Sequence, residues 1–237
     1  MRAMFPDSSI QAPAPDPSEP LIAVDDLAAL LGLTLPLGPP LDTQVVFAAR
    51  AVAAAIRSYC GRQIVRGEYA ERFIGGLPVE REGEGGPLYW RLTLTERPVG
   101  EIVEIKSGSR LLNPELAVIH GTLGVVLVPV SLAGAASPID VTYLGGFDPL
   151  PGDLAALYVD LCRRQLVTMG APVTGGSGAP VKAVTVGALK IDYAVNSVDA
   201  AGALVGGPMP LTADALAAYD PILGQYKSVR MLAATIC

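Results

Sequence analysis

The chain is poor in the residues that most often carry chemistry: one histidine, three cysteines and one tryptophan in 237 residues, with aromatics at only 5%. Each scarcity excludes something. The lone His120 has no Cys, Asp or Glu pattern around it, so no metal-ligand spacing can be read and no metal is expected. Cys60, Cys162 and Cys237 are odd in number and far apart, with no C-x-x-C, which excludes a disulfide framework and leaves reduced thiols as the expectation. Few aromatics leave little of the usual lining of a substrate pocket. Charged residues are 17%, too few for a disordered chain, and glycine has no collagen period.

What is present is apolar and aliphatic. Hydrophobic residues make up 51%, mostly Ala, Val and Leu, and mean hydropathy is +0.43. At this length one domain with appendages, or two small domains, can bury a core without staples. Seventeen basic against 23 acidic residues give a net charge of −6, so no global attraction to nucleic acid is expected. The start, Met1 to Asp7, has no apolar h-region and predicts no signal peptide. Leu116 to Ile139 carries no formal charge, but its prolines and glycines disfavour a membrane helix, and Leu123–Val130 reads as a buried strand.

Residues 6–20 hold five prolines and no periodicity, which predicts an extended arm over 1–20. A short helix follows Asp25-Asp26, with Leu27, Leu30 and Leu31 on one face and Gly32 as its stop. The clearest helix spans about Thr43–Tyr59, with Asp42 as N-cap, Gly61 just past its end and an apolar stripe of Val45, Ala49, Val52, Ile56 and Tyr59. Its remaining positions are largely alanine, which permits close approach by neighbours. Between Glu68 and Tyr143 the period falls to two. Leu88, Trp90, Leu92 and Leu94 alternate with polar residues, and further strands are expected near 102–105, 117–120, 123–130 and 139–143, with 82–86 as a loop tip. A second helix begins near Asp153 and buries Leu154, Leu157, Tyr158, Leu161 and Cys162. Residues 171–180 read as a flexible link, 181–193 as a small hairpin, and about Thr212–Leu232 as a last helix interrupted at Pro221.

The expected fold class is therefore α+β. Two main helices and a C-terminal helix form an α-helical core, with an antiparallel β-module (about 68–143) inserted between the main helices and a small β-hairpin after them. The organisation divides into an arm (1–20), the core with its insert (21–170), a link (171–180) and a hairpin with C-terminal tail (181–237). No Ser/His/Asp order, phosphate loop or facing carboxylate pair is credible. No enzyme, cofactor or catalytic residue is expected.

The order of these segments resembles the head-tail connector (adaptor, or head-completion) proteins of tailed bacteriophages and phage-like gene transfer particles. The residues that carry the likeness are LIAVDDLAALLGL, the helix end AAIRSYCGRQI, the strand EYAERF, and VTYLGGFDPLPGDLAALYVDLCRRQL with Val141, Tyr143, Gly146, Phe147, Pro151 and Asp153. VKAVTVGALKIDYA resembles the family's short hairpin. The resemblance implies a structural virion protein of the neck, made in the host cytoplasm and forming a ring, a dodecamer in the family, beneath the portal protein. That ring extends the DNA channel and offers a surface to the next neck or tail-completion protein. It implies portal contact through the C-terminal segment (Tyr226, Arg230, Met231, Leu232). Ring formation needs two different faces per subunit, for which Val45, Ala49, Val52, Ile56, Leu157 and Leu161 are candidates. Arg50 and Arg57, a heptad apart, are candidates for transient, sequence-blind contact with channel DNA. No membrane partner is expected. The alternative is another neck, tail-terminator or minor virion structural protein with the β-module as contact surface.

Overall fold

A computed structural model describes residues 19–74, 79–81, 86–133, 137–171, 183–186, 189–192 and 211–228. The expected arm up to Ser18, the link 172–180, the loop tip 82–85 and the tail beyond Ser228 lie outside the described residues. The chain is α+β, with helices and antiparallel sheets. It divides into two compact units, Cys60–Pro149 with the segment from Tyr226 on, and Ser18–Tyr59 with Leu150–Gln225.

The first unit is built of strands: β1 (Gly67–Phe73), β2 (Val79–Arg81), β3 (Leu88–Thr93), β4 (Val99–Ser107), β5 (Arg110–Leu112), β6 (Val118–His120), β7 (Val125–Pro129) and β8 (Ile139–Gly145). They form two four-stranded sheets, ordered β1-β8-β4-β5 and β2-β3-β7-β6, with every pairing antiparallel. Period-two patterning, with a register shift between Ile102 and Glu104 that brings Ile102 and Ile105 to the same side, turns Tyr69, Phe73, Ile102, Ile105, Val141 and Tyr143 of one sheet toward Leu92, Val126 and Val128 of the other, in one buried cluster. Among the described residues, the charge-free stretch holds β6, a 3-10 turn over Gly121–Leu123 and β7. β7 is buried on both faces, since Val125 and Leu127 pack with Tyr89 in a second, smaller cluster. Leu88 departs from the expected core face and is exposed, because it pairs with Arg81 at the open end of the three-residue β2.

The second unit contains α1 (Val24–Leu30), α2 (Leu41–Cys60, whose last residue falls in the first unit), α3 (Gly152–Thr168), the hairpin β9 (Ala183–Val186) and β10 (Leu189–Asp192), and the short helices α4 (Ala213–Ala217) and α5 (Asp220–Leu223). In α1, Leu27 and Ala28 are buried, as is the capping Leu31, but Leu30 is not, so the packed face is rotated from the expected one. Helix α2 starts ahead of Asp42. The Pro40 carbonyl accepts the N–H of Gln44 at 3.1 Å, and Asp42, inside the first turn, accepts the N–H of Thr43 at 2.6 Å. A carboxylate there still complements the helix dipole. Val45, Ala48, Ala49, Val52, Ala53 and Ile56 are all fully buried. The small alanines let α3 come close enough for the Tyr158 hydroxyl to donate to the Ala49 carbonyl at 2.9 Å. The expected long C-terminal helix is instead a series of short turns. Thr212 caps α4, and Pro221, which has no N–H to continue a helix, opens α5. Among the described residues no helix is long and apolar enough to cross a membrane.

Candidate functional site

Among the described residues, the densest set of polar contacts lies just after α2, in the strand-built unit. Gly61, at φ 66°, takes the left-handed conformation that closes a helix. Three residues then converge on one carboxylate. Glu96 accepts the N–H of Gln63 at 2.7 Å and of Ile64 at 3.3 Å, and the Arg62 Nε stands 3.4 Å from its Oε2. Ile64 holds φ 76°, a rare conformation for a β-branched residue, and its carbonyl accepts the N–H of Phe147 at 2.8 Å. The Gly145-Gly146 pair is required by the same junction. A Cβ on Gly146 would lie 2.3 Å from the Val65 carbonyl oxygen, and one on Gly145 would lie 2.4 Å from that of Glu96.

A second carboxylate is joined to the first. Glu71 sits on the core side of β1 between Tyr69 and Phe73, and is 2% exposed. It accepts the Thr95 N–H at 2.8 Å, the Thr95 hydroxyl at 3.3 Å and the Tyr143 hydroxyl. The Tyr143 oxygen in turn accepts the N–H of Glu96 at 3.0 Å. Burial raises the pKa of both glutamates, against the opposing pull of the Tyr143 and Thr95 hydrogen bonds on Glu71 and of the Arg62 charge on Glu96. Burial, with Glu71 close by, also drives the Tyr143 phenol well above its ordinary value. Desolvation lowers the pKa of the Arg62 guanidinium, which Glu96 partly restores.

The hub extends to the C-terminal segment. Arg62 donates to the Arg97 carbonyl and lies 5.6 Å from the centroid of the Phe147 ring, a cation–π distance. Phe147 meets Tyr226 edge to face at 5.6 Å and 83°. Arg97 donates to the Lys227 carbonyl at 3.1 Å, and the Ser228 N–H donates to the Cys60 carbonyl at 2.7 Å. The carboxylate oxygens are engaged by backbone and side-chain donors inside the unit. What this arrangement does is hold the turn after α2, the β4 and β8 strand ends and residues 226–228 in one geometry.

Several residues expected at surfaces lie elsewhere. Val45, Ala49, Val52, Ile56 and Leu157 are fully buried and Leu161 is 2% exposed, so these proposed inter-subunit residues are core of their own unit. The α2 face left open instead carries Thr43, Phe47, Arg50, Ala54 and Ser58, with Phe47 58% exposed. Arg50 is exposed, but Arg57 is buried and donates to the Glu19 carbonyl at 2.6 Å. The two arginines therefore do not share a surface despite their heptad spacing. Tyr226 is packed in the hub, while Arg230, Met231 and Leu232 lie outside the described residues. His120 ends β6 beside a 3-10 turn. Neither Cys60 nor Cys162 is in a disulfide and both are buried, with burial pushing the Cys162 thiol up to about 12. Among the described residues no cluster of three or more His, Cys, Asp or Glu could hold a metal ion.

Glu71 and Glu96 escaped the sequence reading, although the resemblance motifs include Glu71. A signal was available for one of them. A charged residue at the inward position of the alternating Tyr69-Glu71-Phe73 pattern announces a buried carboxylate that needs partners.

No family model matches this chain, and no curated protein does. Among solved structures, a chain of the "Virion of native gene transfer agent (GTA) particle" superposes with a TM-score of 0.42 at 16% identity. The superposition covers 74% of this chain and 90% of that one.

Proposed function

We propose that this chain is a structural protein of a tailed-phage or phage-like virion, and within that class a head-tail connector that forms a ring beneath the portal, extends the DNA channel and presents a surface to neck or tail proteins. One observation carries the reading. The ordered motifs that resemble the connector family, AAIRSYCGRQI, EYAERF and VTYLGGF, supply Arg62, Ile64, Glu71, Tyr143, Gly146 and Phe147, which meet in one buried hub. Residues scattered over more than 80 positions of sequence serve a single architectural junction, as expected where a motif preserves a scaffold rather than a reaction. The proposal includes no catalytic step, cofactor or metal.

Ring contacts fall on the exposed α2 face around Phe47 rather than on the buried stripe, since a closed ring needs surface that the subunit does not use for itself. Portal attachment falls on residues 229–237, because Ile222, Leu223 and Tyr226 are buried and belong to the fold. On this reading Arg50, exposed on α2, is the arginine that would meet channel DNA, weakly and without sequence preference. Mixing the full chain with its portal and imaging by electron microscopy tests the reading. A ring beneath the portal is expected. A strictly monomeric chain that ignores the portal would overturn it, and binding to tail rather than portal would favour a tail-terminator role.

A further inference from the structure

The sheet β2-β3-β7-β6 ends on two strands of three residues each, β2 and β6, and among the described residues each pairs on one side only. Both edges are open: every residue of β2 is exposed, as are Ile119 and His120 of β6. An open edge presents unpaired N–H and C=O groups, and chains that stay single usually blunt it with lysine, proline or a bulge. None of these is present on β6, Val118-Ile119-His120, which pairs with β7 in unbroken register. On β2, the Glu80 carboxylate is engaged by Arg91 of the adjoining β3 at 3.4 Å.

The two edges match each other in side chains. Register places Val79 in a row with Trp90 and Val128, and Ile119 in a row with Val126 and Leu92. Those four neighbours all pack in the buried cluster between the sheets, so Val79 and Ile119 stand on the core side of the sheet. Each is nevertheless open, Val79 at 49% and Ile119 at 39%, because the sheet ends there. The margins are apolar too. Leu88 is exposed beside β2, and Leu116 and Leu123 are exposed in the 3-10 turns on either side of β6.

They match in direction as well. β2 runs antiparallel to β3, β3 to β7 and β7 to β6, so β2 and β6 run in opposite directions. A second copy in the same orientation therefore presents its β2 antiparallel to the β6 of the first. We propose that β6 of one copy pairs with β2 of the next, Ile119 opposite Val79 and Val118 opposite Glu80, so that the sheet continues from subunit to subunit. A slip that set Ile119 opposite Glu80 would turn the facing side chains to opposite sides of the sheet. A contact between two different edges is heterologous, and repeating it generates a ring when the rotation closes. A two-fold β6–β6 contact would leave Val79 uncovered. The inference rests on the connector reading, to whose ring it gives a contact in the strand-built unit in addition to that at Phe47.

Cysteine cross-linking tests it on the full-length chain, in a Cys237→Ser background with Cys60 and Cys162 left in place because both are buried. Val79→Cys and Ile119→Cys chains are treated with a short bis-thiol reagent in the presence of the portal, separately and mixed. The mixture should yield a covalent dimer joined between positions 79 and 119, each chain alone should yield none, and a chain with both substitutions should yield a ladder of multimers. Val79→Lys should lower the fraction of portals that carry a ring at least about five-fold, with Trp90 fluorescence read to establish that the strand-built unit stays folded. Rings in electron micrographs without 79–119 cross-links, or rings at the parent level in Val79→Lys, overturn this pairing and leave the connector reading standing. A dimer from Ile119→Cys alone means two-fold edge pairing and overturns it likewise. A chain that neither cross-links nor binds the portal overturns both.

Discussion

The Glu96 carboxylate accepts the N–H of Ile64 at 3.3 Å while Ile64 stands at φ 76°, so a buried charge holds a β-branched residue in a left-handed conformation. That conformation costs an L-residue roughly 1–2 kcal/mol, and the bonds on both sides of Ile64 offset it. The usual order of alanine and glycine should therefore invert at this position. Ile64→Ala and Ile64→Gly both lose the buried side chain, but Gly is expected to be the more stable of the two by about 1 kcal/mol, where it is ordinarily the less stable. Urea unfolding followed by Trp90, the sole tryptophan, packed on this core, measures the difference.

Removing the Glu96 carboxylate tests the hub as a unit. Glu96→Ala leaves a buried Arg62 without its counter-charge and two backbone N–H groups without an acceptor, and is expected to cost about 3–5 kcal/mol. Arg62→Met combined with Glu96→Leu should recover part of that loss, since it removes both desolvated charges together. Equal instability of the single and double variants would mean that the Gln63 and Ile64 hydrogen bonds, rather than the ion pair, dominate.

The carboxylates also predict how stability varies with pH. Burial raises the pKa of Glu71 and Glu96 in the folded chain, so the native state binds protons more tightly than the unfolded state. Stability should then fall as pH rises from the ordinary glutamate range through the raised values, and grow as pH is lowered across the same window. Glu71→Gln keeps a hydrogen-bonding side chain and removes one titration, so its unfolding free energy should vary less with pH than that of the parent. Denaturant midpoints across that window decide this, and an unchanged slope in Glu71→Gln would assign the effect to Glu96.

Two glycines should respond oppositely to the same substitution. Gly146, at φ 89° with the Val65 carbonyl oxygen 2.3 Å from where a Cβ would sit, should lose at least 3 kcal/mol on conversion to Ala, by roughly the scale of core overpacking and backbone strain. Gly152 opens α3 and has nothing within 4 Å of the place an added methyl would take, so Gly152→Ala should stabilise by about 0.4–1 kcal/mol. Thermal melting of both variants suffices.

On α2, fold and assembly should separate by face. Val52→Asp puts a charge into the helical core and is expected to prevent folding, whereas Phe47→Asp changes a side chain that is 58% exposed and should leave the melting temperature nearly unchanged. If the exposed face carries ring contacts, Phe47→Asp abolishes the assembled ring in electron micrographs while the subunit stays folded. Assembly by Phe47→Asp at the parent level would move the interface elsewhere.

Local pattern was enough for the regular elements. The stripe Val45, Ala49, Val52 and Ile56 declared α2 and its buried side, the face ending at Leu161 and Cys162 declared α3, and alternation from Leu88 onward marked the sheets, because helix and strand periods are written in neighbouring residues. Gly61 as the end of α2 was equally readable. In the C-terminal segment the interruption at Pro221 was readable, but the division into α4, α5 and a 3-10 turn over Gly224–Tyr226 was not, since the composition otherwise favours one helix.

The partners of buried groups depended on topology. Tyr143 reaches Glu71 from 72 positions away because β8 lies beside β1 in the sheet, and no period within either strand records that neighbour. Arg57 reads in the sequence as a helix arginine open to DNA, yet the Glu19 carbonyl accepts from it. Tyr226 reads as part of a partner-contacting tail, yet it packs on Phe147. The apolar stripes of α2 and α3 show the same division. Their amphipathicity is a property of the chain alone, but whether such a face meets a second subunit or its own fold depends on what the chain brings back to cover it, and here the chain covers it itself.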